Sequence, residues 1–333
     1  MNNLTTWHRA CRYAAGTMRF LLVAALTMSG FGVGASARQA PGQEPAQGPV
    51  AAFKSSIDLV RINAVVKDKK GRFVPNLTVK DFEVEDGGVP RPISEFRREE
   101  AGVSLAMLFD VSGSMESRMP DAREAATQIL SWLKEDGDEA AVFAFDTRLT
   151  QVSPFRSGMM SLPEELNLIK PFGATSLHDA IARTAQKVAS RESLRRAVVV
   201  FTDGKDNASK LTPGEVSGIA SSIDVPVYVI GLVPSIDNPS AQVALTGADH
   251  SALARSLSNL SEWTGGRTFV VSTIAERSQM ARQLVEELRH QYLIAFEAST
   301  LPGWHPLVIH MRDKDLSVRA RSGYIAGQSR PIS

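Results

Sequence analysis

The chain has 333 residues, 43% hydrophobic and 22% charged, which is enough material for two globular domains with a sizeable core. These proportions exclude a disordered chain, a collagen-like chain and a multi-span membrane protein. Thirty-seven Lys and Arg against 36 Asp and Glu give a net charge of +1, without the basic footprint of a nucleic-acid binder. Residues 1–37 carry Arg9, Arg12 and Arg19 and no acid. Phe20 to Val33 then run almost wholly apolar, and Ala35-Ser36-Ala37 follows. A positive segment, a short apolar core and an A-x-A site predict a signal peptide over 1–37. The chain is therefore expected to be exported, either secreted or held in the periplasm or cell envelope. A membrane is involved only if this segment stays uncleaved. Cys11 is the sole cysteine, so disulfides and cysteine-metal sites are excluded.

Residues 38–52 are rich in Pro, Gln, Gly and Ala and read as a flexible linker. The stretch 53–100 reads as a β-rich flank. Strands are expected at Ile57–Val66, Val79–Glu85 and Ile93–Arg97, with a turn at Lys67–Gly71. From residue 101 to 290 the texture is α/β. Val103–Phe109 is a near-continuous apolar run, as a strand buried on both faces requires. Residues 121–134 have helical spacing, Ala140–Phe145 reads as a strand, and 177–189 as a helix. Ala197–Phe201 is a second fully apolar strand. Thr212–Glu215 has the capping-box pattern with Pro213 at the first helical position. A strand at Pro226–Val233, a helix at 251–263 and a strand at Thr268–Val271 follow. A second capping box at Thr273–Glu276 opens a helix over 275–290, on whose solvated face Glu286 and Glu287 are placed. The flank 291–326 is again β-rich, with strands at Gln291–Ala298, His305–Met311 and Leu316–Arg321 and a Pro-Gly turn at 302–303; 327–333 is a tail. The fold class expected is α/β: a doubly wound, mostly parallel sheet with helices on both faces. It is inserted between two flanks that pair into a small β-sandwich, since neither flank alone buries a core.

Ligand sites of such sheets lie at the carboxyl ends of the parallel strands. Asp110-Val111-Ser112-Gly113-Ser114 follows the first apolar strand and Thr202-Asp203-Gly204 follows the second. Phe172-Gly173-Ala174-Thr175-Ser176 sits between them, ahead of a helix. Two carboxylates and three hydroxyls form an all-oxygen set, suited to a hard divalent cation and not to zinc or copper. Neutral hydroxyls add ligands without more charge, leaving a position for a carboxylate from another molecule.

Asp110-x-Ser112-x-Ser114, Thr175 and Asp203 resemble the metal-ion-dependent adhesion site of von Willebrand factor type A (VWA) domains. With VVKDKKGRFVPNLTVKDFEVEDGG in front and GYIA behind, the chain resembles exported bacterial VWFA-related domain proteins. The resemblance implies a doubly wound sheet with one antiparallel edge strand and Mg²⁺ (or Mn²⁺ or Ca²⁺) on its top face. It implies that Ser112, Ser114 and at times Thr175 touch the ion, while Asp110 and Asp203 act largely through water. It also implies that an acidic residue of a protein partner completes the shell. No catalytic residue is assigned. One rival reading is an envelope assembly protein with an idle metal site. Another is a hydrolase using Ser112 or Ser114 with His178 and Asp203, but it lacks a nucleophile elbow and any H-E-x-x-H. Asp146 is read as a turn cap with Thr147, Lys205 as a solvated loop charge, and Met115 and Met119 as packing under the first helix. The sequence is silent on oligomeric state.

Overall fold

Alternation along two strands places the core. In β5 (Val103–Asp110), Val103, Leu105, Met107 and Phe109 enter one apolar cluster, and Ala106 and Leu108 the other. In β8 (Arg195–Thr202), Ala197, Val199 and Phe201 share the first cluster, and Val198 and Val200 the second. Successive side chains of a strand point to opposite faces, so an unbroken apolar run demands cover on both. Helices α1 (Met119–Leu130) and α5 (Ile274–Arg289) supply it on the first face, where the short α2 (Glu165–Leu168) adds Leu166. Helices α3 (Leu177–Ala189) and α4 (Pro213–Ser222) supply it on the second. Phe109 and Phe201 stack at 4.7 Å between ring centroids, joining the two strands on the first face.

This computed structural model describes residues 59–98, 102–191, 193, 195–222, 224–232 and 258–327, all within the compact unit Ser55–Ser333. The expected signal peptide, the linker and most of the helix expected at 251–263 lie outside the described residues; 258–263 are helical. The remaining strands of the central sheet are β6 (Glu139–Phe145), β7 (Leu149–Ser157), β9 (Val227–Leu232) and β10 (Thr268–Val271). The order is β10-β9-β8-β5-β6-β7, parallel except for the antiparallel β6–β7 pair. From β5 the chain builds toward β7, then returns to β8 on the other side of β5. That reversal opens a crevice above the carboxyl ends of β5 and β8.

The flanks pair as expected. One four-stranded sheet orders β13 (Leu316–Arg319), β1 (Leu59–Asp68), β11 (Gln291–Glu297) and β4 (Glu95–Arg98). The other orders β14 (Gly323–Ala326), β12 (Gly303–Met311), β2 (Phe82–Asp86) and β3 (Val89–Arg91). Strands from before and after the α/β segment alternate in the first sheet and meet at the β12–β2 pair in the second, with Ile62 opposite Ile294 and Val84 opposite Ile309. Their shared core includes Val60, Ile62, Phe82, Val84, Tyr292, Ile294 and Phe296.

Several expectations are adjusted. Val79–Asp81 is a short 3-10 turn and not the start of a strand, because Asp81 Oδ2 accepts from the Thr78 N–H at 2.7 Å and pulls the chain into a capping box. Gly303 opens β12 directly after Pro302, so the turn there is shorter than read. The edge strand β7 has no apolar run because one side faces solvent. Both predicted capping boxes form: Thr212 N–H donates to Glu215 at 2.8 Å, and Thr273 N–H to Glu276 at 3.1 Å. Thr273 Oγ1 in turn accepts from the Glu276 N–H at 3.2 Å. Thr273→Ala should therefore cost about 1 kcal/mol in urea unfolding.

Glu287 overturns its expected place. It is fully buried, not solvated. Its carboxylate meets Lys67 at 2.8 Å, Arg267 at 3.3 Å, and Arg319 in a short direct bond. Lys67 belongs to β1 and Arg319 to β13, so this face of α5 lies against the sandwich sheet and not against water.

Candidate functional site

Asp110, the last residue of β5, has its side chain wholly buried. Its Oδ1 accepts from the Ser112 N–H at 2.9 Å, turning the chain sharply off the strand. Its Oδ2 accepts from the Thr202 hydroxyl at 2.7 Å, and Thr202 Oγ1 accepts from the Gly204 N–H at 3.0 Å. The ends of β5 and β8 are thus stitched by side chains across the crevice. Burial pushes the Asp110 carboxyl above the usual carboxylate range; the Ser112 and Thr202 hydrogen bonds oppose this, and nearby Asp203 adds to it. Among the described residues its hydrogen-bond donors are neutral.

Ser112 is buried and Ser114 partly exposed, with their hydroxyl oxygens 3.3 Å apart. The 111–114 turn rests on the loop ahead of α3: Phe172 N–H donates to Val111 O at 2.9 Å, and Gly113 N–H to Gly173 O at 3.2 Å. Gly173 has φ +84°, a left-handed conformation that glycine adopts without steric cost. Thr175 is buried two residues later and held through its backbone. Its N–H donates to Asn207 Oδ1 at 2.8 Å, while its carbonyl accepts from the N–H groups of Asn207 at 3.1 Å and Ala208 at 3.0 Å. Asp203 has a side chain only 3% exposed, with Arg118 Nη1 at 2.8 Å and Lys205 Nζ at 3.5 Å.

The structure therefore links Asp110, Ser112 and Ser114 in one run of contacts. It brings Asp203 to Ser114 through Arg118, whose Nη1 also donates to Ser114 O at 3.3 Å. It brings Thr175 in through the loop that carries Asp203. Among the described residues no three His, Cys, Asp or Glu side chains gather as a metal-holding group. The set here has two carboxylates and three hydroxyls, and such oxygen donors fit a hard divalent cation. Thr202, Asn207 and Arg118 were not read from sequence. Thr202 had a signal, since it precedes Asp203 at the strand end. Arg118 stands four residues after Ser114, one helical turn on; Asn207 had none.

The neighbouring residues take their plainer roles. Asp146 caps its turn, accepting from the Arg148 N–H at 2.7 Å and from Thr147 at 3.5 Å. Met115 and Met119 are buried in the core under α1. His178 is engaged by Asp206, through its N–H at 2.9 Å and its Nδ1 at 2.7 Å. Burial raises the Asp206 carboxyl, but hydrogen bonds from His178 and Ser209 outweigh it and hold the group well below the usual carboxylate range.

Residues 105–205, which span β5 to the loop after β8, match the sequence model of the von Willebrand factor type A domain. The chain carries a VWA domain. All five motif positions fall inside that match. An uncharacterized protein of Borreliella burgdorferi is 22% identical over 140 residues, covering 40% of this chain and 41% of that protein. The match therefore spans less than half the length of this curated relative. Among solved structures, the chain is similar to an aerotolerance-related membrane protein from Bacteroides fragilis. That likeness has 19% identity, covers 56% of this chain and 100% of that one, and has a TM-score of 0.45. A von Willebrand factor type A protein from Catenulispora acidiphila is 12% identical, covering 83% of this chain and 76% of its own, with a TM-score of 0.45.

Proposed function

We propose that this protein is an exported, non-enzymatic binding module. In this reading its VWA domain holds a divalent cation, Mg²⁺ first, with Asp110, Ser112, Ser114, Thr175 and Asp203. The ion accepts an acidic residue of a protein partner. The observation that carries the reading is the carboxylate of Asp110: fully buried, at the crevice of a doubly wound sheet, and supplied with neutral donors only. A carboxylate taken out of water without a cation is costly, and a bound dication offsets that cost. The flanking hydroxyls add oxygen donors without further negative charge, so the ion can still take an incoming acid. The hydrolase reading needs a histidine serving Ser112 or Ser114, whereas His178 is bound to Asp206. Export rests on the arginine-bearing, apolar segment 1–37.

Titration calorimetry with MgCl₂ on the purified protein tests the metal. Saturable heat is expected in the wild type, and none in Asp110→Ala at concentrations a hundredfold above the wild-type midpoint. Wild-type protein giving no saturable heat with Mg²⁺, Mn²⁺ or Ca²⁺ would end the metal-dependent reading.

A further inference from the structure

Arg118 ends the 3-10 turn Gly113–Arg118, which has Ser112 as its N-cap. One turn of chain thus presents Ser112, Ser114 and a guanidinium. Nη1 of Arg118 donates to Asp203 Oδ2 and to the Ser114 carbonyl, spanning the two loops that carry most of the proposed cation donors. The two carboxylates of the site are treated differently. Asp110 receives a backbone N–H and a hydroxyl, while Asp203 faces Arg118 and Lys205. The positive charge that the site already holds is supplied by the chain itself, and all of it stands at Asp203.

Two roles for Arg118 follow from this contact. As a strut it would orient Asp203 for a metal; as a counter-ion it would compete with one. The geometry favours competition. Asp203 Oδ1 accepts from the Lys205 N–H at 3.3 Å, a short-range turn that orients the carboxylate without the arginine. The Arg118 side chain is 26% exposed and ends a turn at the surface, so swinging it outward disturbs little packing. A guanidinium and a dication drawing on one carboxylate oxygen repel each other strongly where water is scarce.

We propose that Arg118 is an internal counter-cation of the metal site: it guards the Asp203 carboxylate, and a divalent ion must displace it to bind. This rests on the metal-dependent reading above. Displacement turns a guanidinium toward the rim, where its planar fork suits the carboxylate of an acidic partner. Metal loading and acid recognition are then coupled through one side chain.

The test is Mg²⁺ calorimetry on wild type, Arg118→Ala and Lys205→Ala, with thermal melts of each in EDTA and in saturating Mg²⁺. Arg118→Ala is expected to bind Mg²⁺ about tenfold more tightly. It should also melt below wild type in EDTA and show the larger rise in Tm on adding Mg²⁺. Lys205→Ala, whose ammonium is 55% exposed and more distant, should change affinity by less than about threefold. Arg118→Gln removes the charge but keeps part of the stem and a polar tip, and replaces the alanine variant if that one fails to fold. Wild type that binds while Arg118→Ala binds equally or more weakly overturns the counter-cation and leaves the metal site standing. Equal tightening in the arginine and lysine variants also overturns it, since diffuse charge would explain both. Binding by Arg118→Ala alone, with none in wild type, overturns it as well, since an arginine that no ion displaces is not a counter-cation of a working metal site. Absence of binding in every variant removes both the metal reading and this one.

Discussion

Glu287→Ala is expected to lower folding stability by about 3–5 kcal/mol, the cost of breaking a buried ion pair by removing one partner. The carboxylate is fully buried at the end of α5, with Lys67, Arg267 and Arg319 converging on it. Its removal leaves three cations facing one another around a cavity. Arg319 is held in place besides, donating to the Gly265 carbonyl at 2.6 Å, so it cannot swing to solvent without losing that bond. Burial alone would raise the Glu287 carboxyl; the charges of Arg319 and Arg267 and the hydrogen bond and charge of Lys67 outweigh it and lower the group. A depressed folded value means the stabilisation is complete above the ordinary carboxylate pKa of 4.5 and is lost as pH falls below it. Urea unfolding of wild type and Glu287→Ala at pH 7 and pH 3.5 checks both statements, and the gap between them should narrow at the lower pH. A gap of under about 1 kcal/mol at pH 7 would reduce the cluster to an ordinary surface pair. Because Lys67 and Arg319 belong to the sandwich, the same loss should loosen the hold of α5 on that sheet.

Asp110→Asn is expected to separate stability from metal response. In EDTA the wild type bears the cost of a desolvated carboxylate whose folded pKa is raised. The sign is opposite to that of Glu287. The cost is absent below the ordinary value of 3.8 and grows as pH rises through the raised folded value. The neutral amide avoids it, and its oxygen can still accept the Ser112 N–H. At pH 7 in EDTA the asparagine variant should therefore be at least as stable as the wild type. On adding Mg²⁺ at a hundredfold its Kd, the wild type should gain about 2.7 kcal/mol by mass action, and Asp110→Asn nothing. Thermal or urea melts with and without the metal give all four values. A variant that loses stability in EDTA would mean that Asp110 serves as a structural brace; one that keeps the Mg²⁺ response would remove Asp110 from the metal set.

The doubly wound sheet was legible because burial on both faces leaves a direct mark: Val103–Phe109 and Ala197–Phe201 are apolar at every position. Capping boxes at Thr212 and Thr273 were legible because they are local, with four residues holding all the atoms involved. Asp110, Ser112, Ser114, Thr175 and Asp203 could be gathered from the sequence as strand-end and loop residues, since sheet topology carries such ends to one edge. The edge strand β7 was not legible, because a strand wetted on one side loses the apolar run. Glu287 was misplaced for a related reason. Its helix has two apolar-side neighbours, one in its own sheet and one in the sandwich, and periodicity reports only the first. Arg118 on Asp203, Asn207 on Thr175 and Thr202 on Asp110 are contacts between residues 32 to 92 positions apart. By itself the sequence determined the sheet and the caps, both written in local pattern. Only the tertiary structure decided which charge faces which carboxylate, because electrostatic partners are chosen by distance in space and leave no period in the chain.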